Sequence, residues 1–150
     1  MNSDEKISKT IHSFREVNKF FYRQMWQHAN ELGVTIVQLH ILKILSEEPD
    51  LSLQELTKKM NTSKSTVSST VDRLVKANYI ERERSKEDRR AIVLNLTKLG
   101  EHKEKEGHAL FFKRLSKLGD ISEEDVENLL SLHQLIIEKI NVTGDEKNDR

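Results

Sequence analysis

The sequence predicts a mainly α-helical protein interrupted by one small β-hairpin, and three observations predict it. A third of the 150 residues are charged and Pro49 is the single proline, a balance that favours a highly helical chain over a sandwich or a disordered one. Capping-box pairs at Thr35–Gln38, Ser52–Glu55 and Ser122–Asp125 each stand before an apolar run of helical period. Only from about Tyr79 to Leu96 does the pattern turn to strand alternation, on either side of a charged tip, SKEDRR.

The first helix is expected from Ile7 to about Leu32, a stretch free of glycine and proline, with Gly33 ending it. Ile7, Ile11, Phe14, Phe21 and Met25 follow a 4-3 repeat broken at Asn18, and Val17, Phe20 and Trp26 widen that seam beyond a strict coiled coil. Thr35 and Gln38, with Val34 and Leu39 as a hydrophobic staple, open a second helix. Its Ile36, Val37, Leu39, Ile41, Leu42, Ile44 and Leu45 cover most of the circumference, as a core helix requires, and Glu48 and Pro49 stop it. Ser52 with Glu55, and Leu51 with Leu56, open a third helix with the single stripe Leu53, Leu56, Met60. Asn61 to Ser63 is a polar turn, and Ser63 is the expected N-cap of a helix from Lys64 to about Ala77. Helix, three-residue turn and helix is the helix-turn-helix spacing.

On that helix Val67, Val71, Leu74 and Val75 fall on one side, with Ser65, Thr66, Ser69, Arg73 and Lys76 opposite. Asn78 follows where a left-handed C-cap is needed. In the hairpin Ile92, Leu94 and Leu96 are expected to point inward, while Arg82 and Arg84 share one face of the first strand and Glu81 and Glu83 the other. Thr97 caps a helix expected from Lys98 to about Leu118, with Leu110, Phe111, Phe112 and Leu115 in its apolar part. The last helix opens at Ser122 with Ile121 and Val126 as staple and Glu123 and Glu124 at the positive end of its dipole. Val126, Leu129, Leu130, His133, Ile136, Ile137 and Ile140 form its stripe, and the polar tail from Gly144 is expected to fray.

Several function classes are excluded. Without cysteine there is no disulfide framework, thiolate metal site or thiol switch. No run approaches the ~18 apolar residues of a membrane span, and the N-terminal MNSDEKISKT lacks a signal peptide's apolar core, so a cytoplasmic protein is expected. There is no phosphate-binding glycine loop, nucleophile elbow, HExxH or pocket-like carboxylate pair, which argues against an enzyme and against a cofactor.

The formal net charge of zero conceals an asymmetry: residues 50–100 carry eleven basic and seven acidic side chains, and residues 101–150 carry eight and twelve. A basic middle and an acidic end suit a molecule with one face toward phosphates. The major groove of DNA admits an α-helix, and serine and threonine hydroxyls can donate to or accept from several base edges. The Lys64 helix therefore offers Ser63, Lys64, Ser65, Thr66, Ser68, Ser69, Arg73 and Lys76 as DNA contacts. The hairpin tip adds Lys86, Asp88, Arg89 and Arg90, whose arginines suit the narrow, strongly negative minor groove. Asp88 would repel phosphate unless paired, so its carboxylate is expected to hold Arg90 or Arg73 through a charge-assisted bond.

The run DRRAIVLNLTKLG matches the D-x-R-x-x-x-L-x-L-T-x-x-G signature of the MarR family of winged-helix regulators at Asp88, Arg90, Leu94, Leu96, Thr97 and Gly100. LVKANYIERERS, from Leu74 to Ser85, resembles the family's link between recognition helix and wing, with Asn78 in place of the common glycine. The resemblance implies a single MarR-type domain: dimerisation helices at 1–33 and 118–142, a winged helix-turn-helix at 35–97 (helix-turn-helix about 53–76, wing about 79–96) and a connecting helix at 98–118. It implies a homodimer with interlocked terminal helices on a pseudo-palindromic double-stranded DNA site, half-sites about one turn or ~34 Å apart. Each recognition helix then enters a major groove and each Arg90, oriented by Asp88, a flanking minor groove.

Ile7, Ile11, Phe14, Leu129, His133, Ile136, Ile137 and Ile140 are the expected dimer contacts, an intramolecular helical hairpin being the alternative. The family's ligand pocket lies where the arms meet the reading lobes, and Phe21, Tyr22, Met25, Trp26 and His40 are the candidates to line it. The function implied is a repressor relieved by a small-molecule effector. Two alternatives stay open: a zinc-responsive regulator of the same fold, and a winged-helix module that binds protein rather than DNA. Against the first, His12, His28, His40, His102, His108 and His133 form no convincing ligand pattern, so no metal is expected; without cysteine the family's thiol-based sensing is excluded.

Overall fold

Helix ends are set by short-range hydrogen bonds, and they place the elements along this chain. The computed structural model describes the backbone of residues 1–145 and the side chains as far as residue 141. The order is α1 (Ser3–Leu32), α2 (Ile36–Glu47), α3 (Leu53–Lys59), α4 (Lys64–Lys76), β1 (Ile80–Arg84), β2 (Ile92–Leu96), α5 (Lys98–Arg114), a 3-10 turn (Ser116–Asp120) and α6 (Glu123–Asp145). The chain divides into two compact units, Met1–Lys113 and a second that begins at Arg114.

α1 starts four residues before Ile7, because the Asn2 side chain accepts from the Glu5 N–H at 2.8 Å and Asp4 and Glu5 occupy its first turn. Gly33, at φ +69°, closes it in the left-handed conformation. Both arms of the Thr35–Gln38 capping box are formed, at 2.9 and 3.1 Å. Ser52 caps α3 by accepting from the Glu55 N–H at 3.1 Å, while the Glu55 carboxylate accepts from the same hydroxyl. Ser63 caps α4, and Ser122 accepts from the Asp125 N–H at 3.1 Å.

The core of the first unit gathers Ile41, Leu42 and Leu45 of α2, Leu51, Leu56 and Met60 around α3, Val67, Val71 and Leu74 of α4, and Ile80 and Leu94 of the hairpin. Each such side chain, taken from water, contributes about 1.5–3 kcal/mol. Thr70 is buried among them, its hydroxyl donating to the Thr66 carbonyl at 2.6 Å. β1 and β2 are antiparallel, with Ile80 opposite Leu96, Arg82 opposite Leu94 and Arg84 opposite Ile92. Leu51 adds a bridge to Leu94, whose N–H donates to the Leu51 carbonyl at 2.7 Å.

Two expectations need correction. Ile92 is not buried in the core: it faces a small cavity with Leu53, Val71 and Leu94 but is 57% exposed, lying opposite Arg84 toward the tip, while Val93 on the other face of the strand is buried. α5 ends at Arg114 rather than Leu118, and the chain tightens into the 3-10 turn that contains Gly119, a poor helix former. The expected fraying of the tail falls largely outside the described residues; Gly144 and Asp145 still belong to α6.

Two of the signature residues, Thr97 and Gly100, meet at one junction. α4 ends in a Schellman motif: the Tyr79 N–H donates to the Leu74 carbonyl at 2.9 Å and the Asn78 N–H to the Val75 carbonyl at 3.0 Å, with Asn78 left-handed at φ +61°. Thr97 fastens α5 to this turn. Its N–H donates to the Tyr79 carbonyl at 3.1 Å, its hydroxyl donates to the Asn78 carbonyl and accepts from the Gly100 N–H. A Cβ on Gly100 would overlap the Tyr79 carbonyl oxygen, which explains the glycine. Gly100→Ala is expected to destabilise the fold by about 2 kcal/mol, and a thermal melt should read that as a drop of roughly 5 °C.

β1 is tied to α4 by an ion pair between Arg82 and Asp72. With both side chains about half exposed, a double-mutant cycle between Asp72→Asn and Arg82→Gln, read by denaturant unfolding, should give a coupling of only about 0.5 kcal/mol.

Candidate nucleic-acid interface

α4 presents one face to solvent because Val67, Thr70, Val71 and Leu74 turn the other into the core. On the outer side Ser65, Ser69, Arg73 and Lys76 are exposed, as are Ser63 and Lys64 at its start, while Thr66 and Ser68 are half-buried. The hydroxyls differ in how far they are engaged. Ser63 caps the helix and bonds the Thr66 hydroxyl at 2.9 Å, and Ser69 donates to the Thr66 carbonyl at 3.1 Å. Ser69 thereby keeps its acceptor lone pairs free for a donor from outside.

Asp72 falls on the same side as Ser65, Ser69 and Lys76 at 100° per residue. Alone it would put a negative charge in the middle of the outer face. Arg82 neutralises it, so the brace between α4 and the wing also removes an anion from that face. Neither the pairing nor its consequence is foreseeable from periodicity, since the partners lie ten residues apart and on different elements.

At the wing tip Lys86, Asp88, Arg89 and Arg90 are all exposed. Asp88 does brace the tip, but not as expected: its Oδ1 accepts from the backbone N–H of Arg90 at 3.0 Å, and its carbonyl accepts from the Ala91 N–H at 3.0 Å. Among the described residues it makes no ion pair with the Arg73 or Arg90 guanidinium. A short aspartate reaches a backbone donor two residues on at far less entropic cost than it holds a long arginine side chain. The Ser85 side chain accepts from the Glu87 N–H at 3.3 Å, so the tip is shaped by side-chain-to-backbone bonds. The cations Lys64, Arg73, Lys76, Lys86, Arg89 and Arg90 have no acidic partner among the described residues. On the opposite face of β1, the hydrogen bond from the Glu83 side chain raises the Glu81 pKa, helped by desolvation and by the like charge of Glu83.

The remaining candidates fall on the helices. On α1, Ile7, Ile11 and Phe14 are exposed. On α6, Leu129, Ile137 and Ile140 are exposed and His133 and Ile136 half-buried. A cavity of about 360 Å³ in the first unit is lined by Met25, His28, Leu39, His40, Lys43, Glu104, Gly107, His108, Phe111 and Phe112. It includes Met25 and His40 and leaves Phe21, Tyr22 and Trp26 off its wall. Its aromatic wall is shaped by tilted ring pairs, His28 with Phe111 at 5.3 Å and His108 with Phe112 at 4.4 Å. Those α5 residues were visible only as an apolar stretch, because their approach to α1 depends on Gly107, where a Cβ would come within 3.2 Å of Leu32 Cδ1. Among the described residues no three histidine or carboxylate side chains group as metal ligands, and no helix is long and apolar enough to cross a membrane.

Comparison with known proteins agrees with this geometry. The MarR family model matches residues 34–92, from the turn before α2 into β2. The uncharacterized HTH-type transcriptional regulator YcgE of Bacillus subtilis is 30% identical over 148 aligned residues, 85% of this chain and 96% of YcgE. The HTH-type transcriptional repressor MdtR of the same species is 30% identical over 102 residues, 68% of this chain and 66% of MdtR. Among solved structures, a mutant MarR from E. coli complexed with operator DNA shares the fold, with a TM-score of 0.73 at 20% identity over 91% of this chain and 99% of that one. The similarity to YcgE runs through both chains nearly end to end, and together with the wing signature it places this chain in the MarR family of winged helix-turn-helix transcriptional regulators.

Proposed function

We propose that this regulator is a homodimeric, double-stranded-DNA-binding repressor that sets α4 in a major groove and the wing tip in the flanking minor groove. The observation that carries the reading is the exposure of Ser65, Ser69, Arg73 and Lys76 on one side of α4 and of Arg89 and Arg90 at the wing tip, with the Asp72 charge on α4 taken up by Arg82. Short hydroxyls let the helix approach base edges closely, and the unpaired cations supply the phosphate attraction on which affinity rests. Asp88, by holding the Arg90 backbone, presents that side chain outward. Glu81 and Glu83 mark the wing face that turns away from phosphate.

The apolar side chains exposed on α1 and on α6 support a second copy as their partner, since contiguous apolar faces of this extent mark association surfaces. In this reading residues 1–33 and 118–142 supply the dimer arms and 35–97 the reading lobe. Two-fold symmetry then implies a pseudo-palindromic operator with half-sites one helical turn apart. The repressor sense is supported by the name of MdtR. The cavity beside Met25, His40 and Phe111 is the site for a small, largely apolar effector. A ligand that prefers one spacing of the reading lobes shifts the population and releases DNA. Such a protein works in the cytoplasm, where the DNA is.

The test is binding to a duplex recovered from a randomised pool, followed by fluorescence anisotropy as salt is varied. If about eight phosphates are neutralised per dimer, log K falls with log salt at a slope of about −7, and Arg90→Ala weakens binding and lowers the slope by about two, one for each wing. A flat salt response would remove DNA from the account and leave a protein-binding module. Wild-type affinity in Arg90→Ala would remove the wing.

A further inference from the structure

Each strand of the wing stands on one side-chain anchor. For β1 it is Arg82 on Asp72. For β2 it is a reciprocal pair with the loop between α2 and α3: Asn95 Oδ1 accepts from the Asp50 backbone N–H at 2.8 Å, and Asn95 Nδ2 donates to Asp50 Oδ1 at 2.7 Å. The loop that receives β2 is itself fixed. Asp50 is left-handed at φ +61°, a conformation that a short polar side chain tolerates and most others do not. Glu48, two residues before it, pairs with Lys59 of α3 at 2.7 Å, and Leu51, one residue after it, is buried and bridged to Leu94.

We infer that Asn95 is a positioning residue for DNA binding: by locking β2 to the Asp50 loop it sets the angle at which the wing presents Arg90. The inference rests on the wing role proposed above. Asn95 and Arg90 are five residues apart, β2 giving way to the tip turn at Arg90, so the lever is at most roughly 17 Å. A rotation of a few degrees at the root therefore becomes a displacement of about an ångström or more at the tip, against a minor groove about 6 Å wide. Beside the backbone bridge from Leu51 to Leu94, the side-chain pair one residue further on gives β2 a second fixed point on the same loop. Asp50 is acidic, which makes it a support for the wing and not a contact to phosphate.

The chemistry of the pair makes the test specific. Asp50→Asn keeps both bonds, because an amide oxygen accepts from Asn95 as the carboxylate does. Asn95→Asp sets two carboxylates against each other. In the doubly exchanged D50N/N95D protein the amide at position 50 donates to the carboxylate at position 95, which still accepts from the backbone N–H, and the pair is restored with its roles reversed.

The experiment measures anisotropy on the same selected duplex across a salt series, with thermal melts for every variant. Expected are near wild-type binding for Asp50→Asn, roughly three- to tenfold weaker binding and a shallower salt slope for Asn95→Asp, and recovery to within about twofold in the exchanged protein. Arg90→Ala added to Asn95→Asp should cost little more than either alone, because both act through the same contact. If Asn95→Asp melts below the assay temperature, Asn95→Ala removes the pair without the repulsion and carries the same test. The inference is overturned if Asn95→Asp binds as wild type, if its loss multiplies fully with that of Arg90→Ala at unchanged slope, or if the exchange brings no recovery. Wild-type binding by Arg90→Ala would instead bring down the wing reading itself, and this inference with it.

Discussion

The structure depends on a crowded junction where the end of α4, the start of β1 and the start of α5 share a few backbone groups. The carbonyls of Asn78 and Tyr79 are both taken by Thr97, and the Tyr79 carbonyl leaves no room for a side chain at Gly100. Those contacts fix the direction in which the chain leaves α4, so they also fix where the wing begins. A Schellman end normally calls for glycine at the left-handed position; Asn78 fills it here, which asparagine does at modest cost. From this junction α5 runs back to α1, where Lys103 donates to the Leu32 carbonyl at 3.3 Å and Gly107 allows close approach. The end of α4, the wing and the cavity wall therefore share one origin.

What holds the outer face of α4 and the wing in shape is mostly uncharged or self-neutralising. Asp88 is spent on backbone, Asp72 on Arg82, and Asp50 on Asn95, so each of these three acids is occupied. The cations are left for a partner from outside. Exposed ion pairs add little stability, and the arrangement makes more sense as control of charge and angle than as a source of folding energy.

The parts readable from the sequence were those set by chemistry over three or four residues. Thr35, Ser52, Ser63, Thr97 and Ser122 each announce a helix start because a cap is a bond to a backbone N–H two or three positions on. Asn2 does the same for α1, yet it stands before residues without an apolar period and gave no contrast to detect. The parts not readable were set by tertiary distance. Strand alternation correctly marks the hairpin but cannot say where the core stops, hence Ile92. The Asp72–Arg82 and Asp50–Asn95 pairs join residues ten and forty-five positions apart with no periodicity to betray them. For Asp88 the residue was readable and the partner was not, because a nearby backbone donor competes better than a flexible guanidinium.

Hydroxyl-radical footprinting of the wild-type protein on its selected duplex shows whether two copies of α4 and two wings engage one face of DNA together. A dimer that binds in this way gives protections related by a two-fold axis, spaced by about one helical turn, with outer minor-groove protections where the wings lie. A single unsymmetrical protection, or none beyond the major-groove segments, would contradict it.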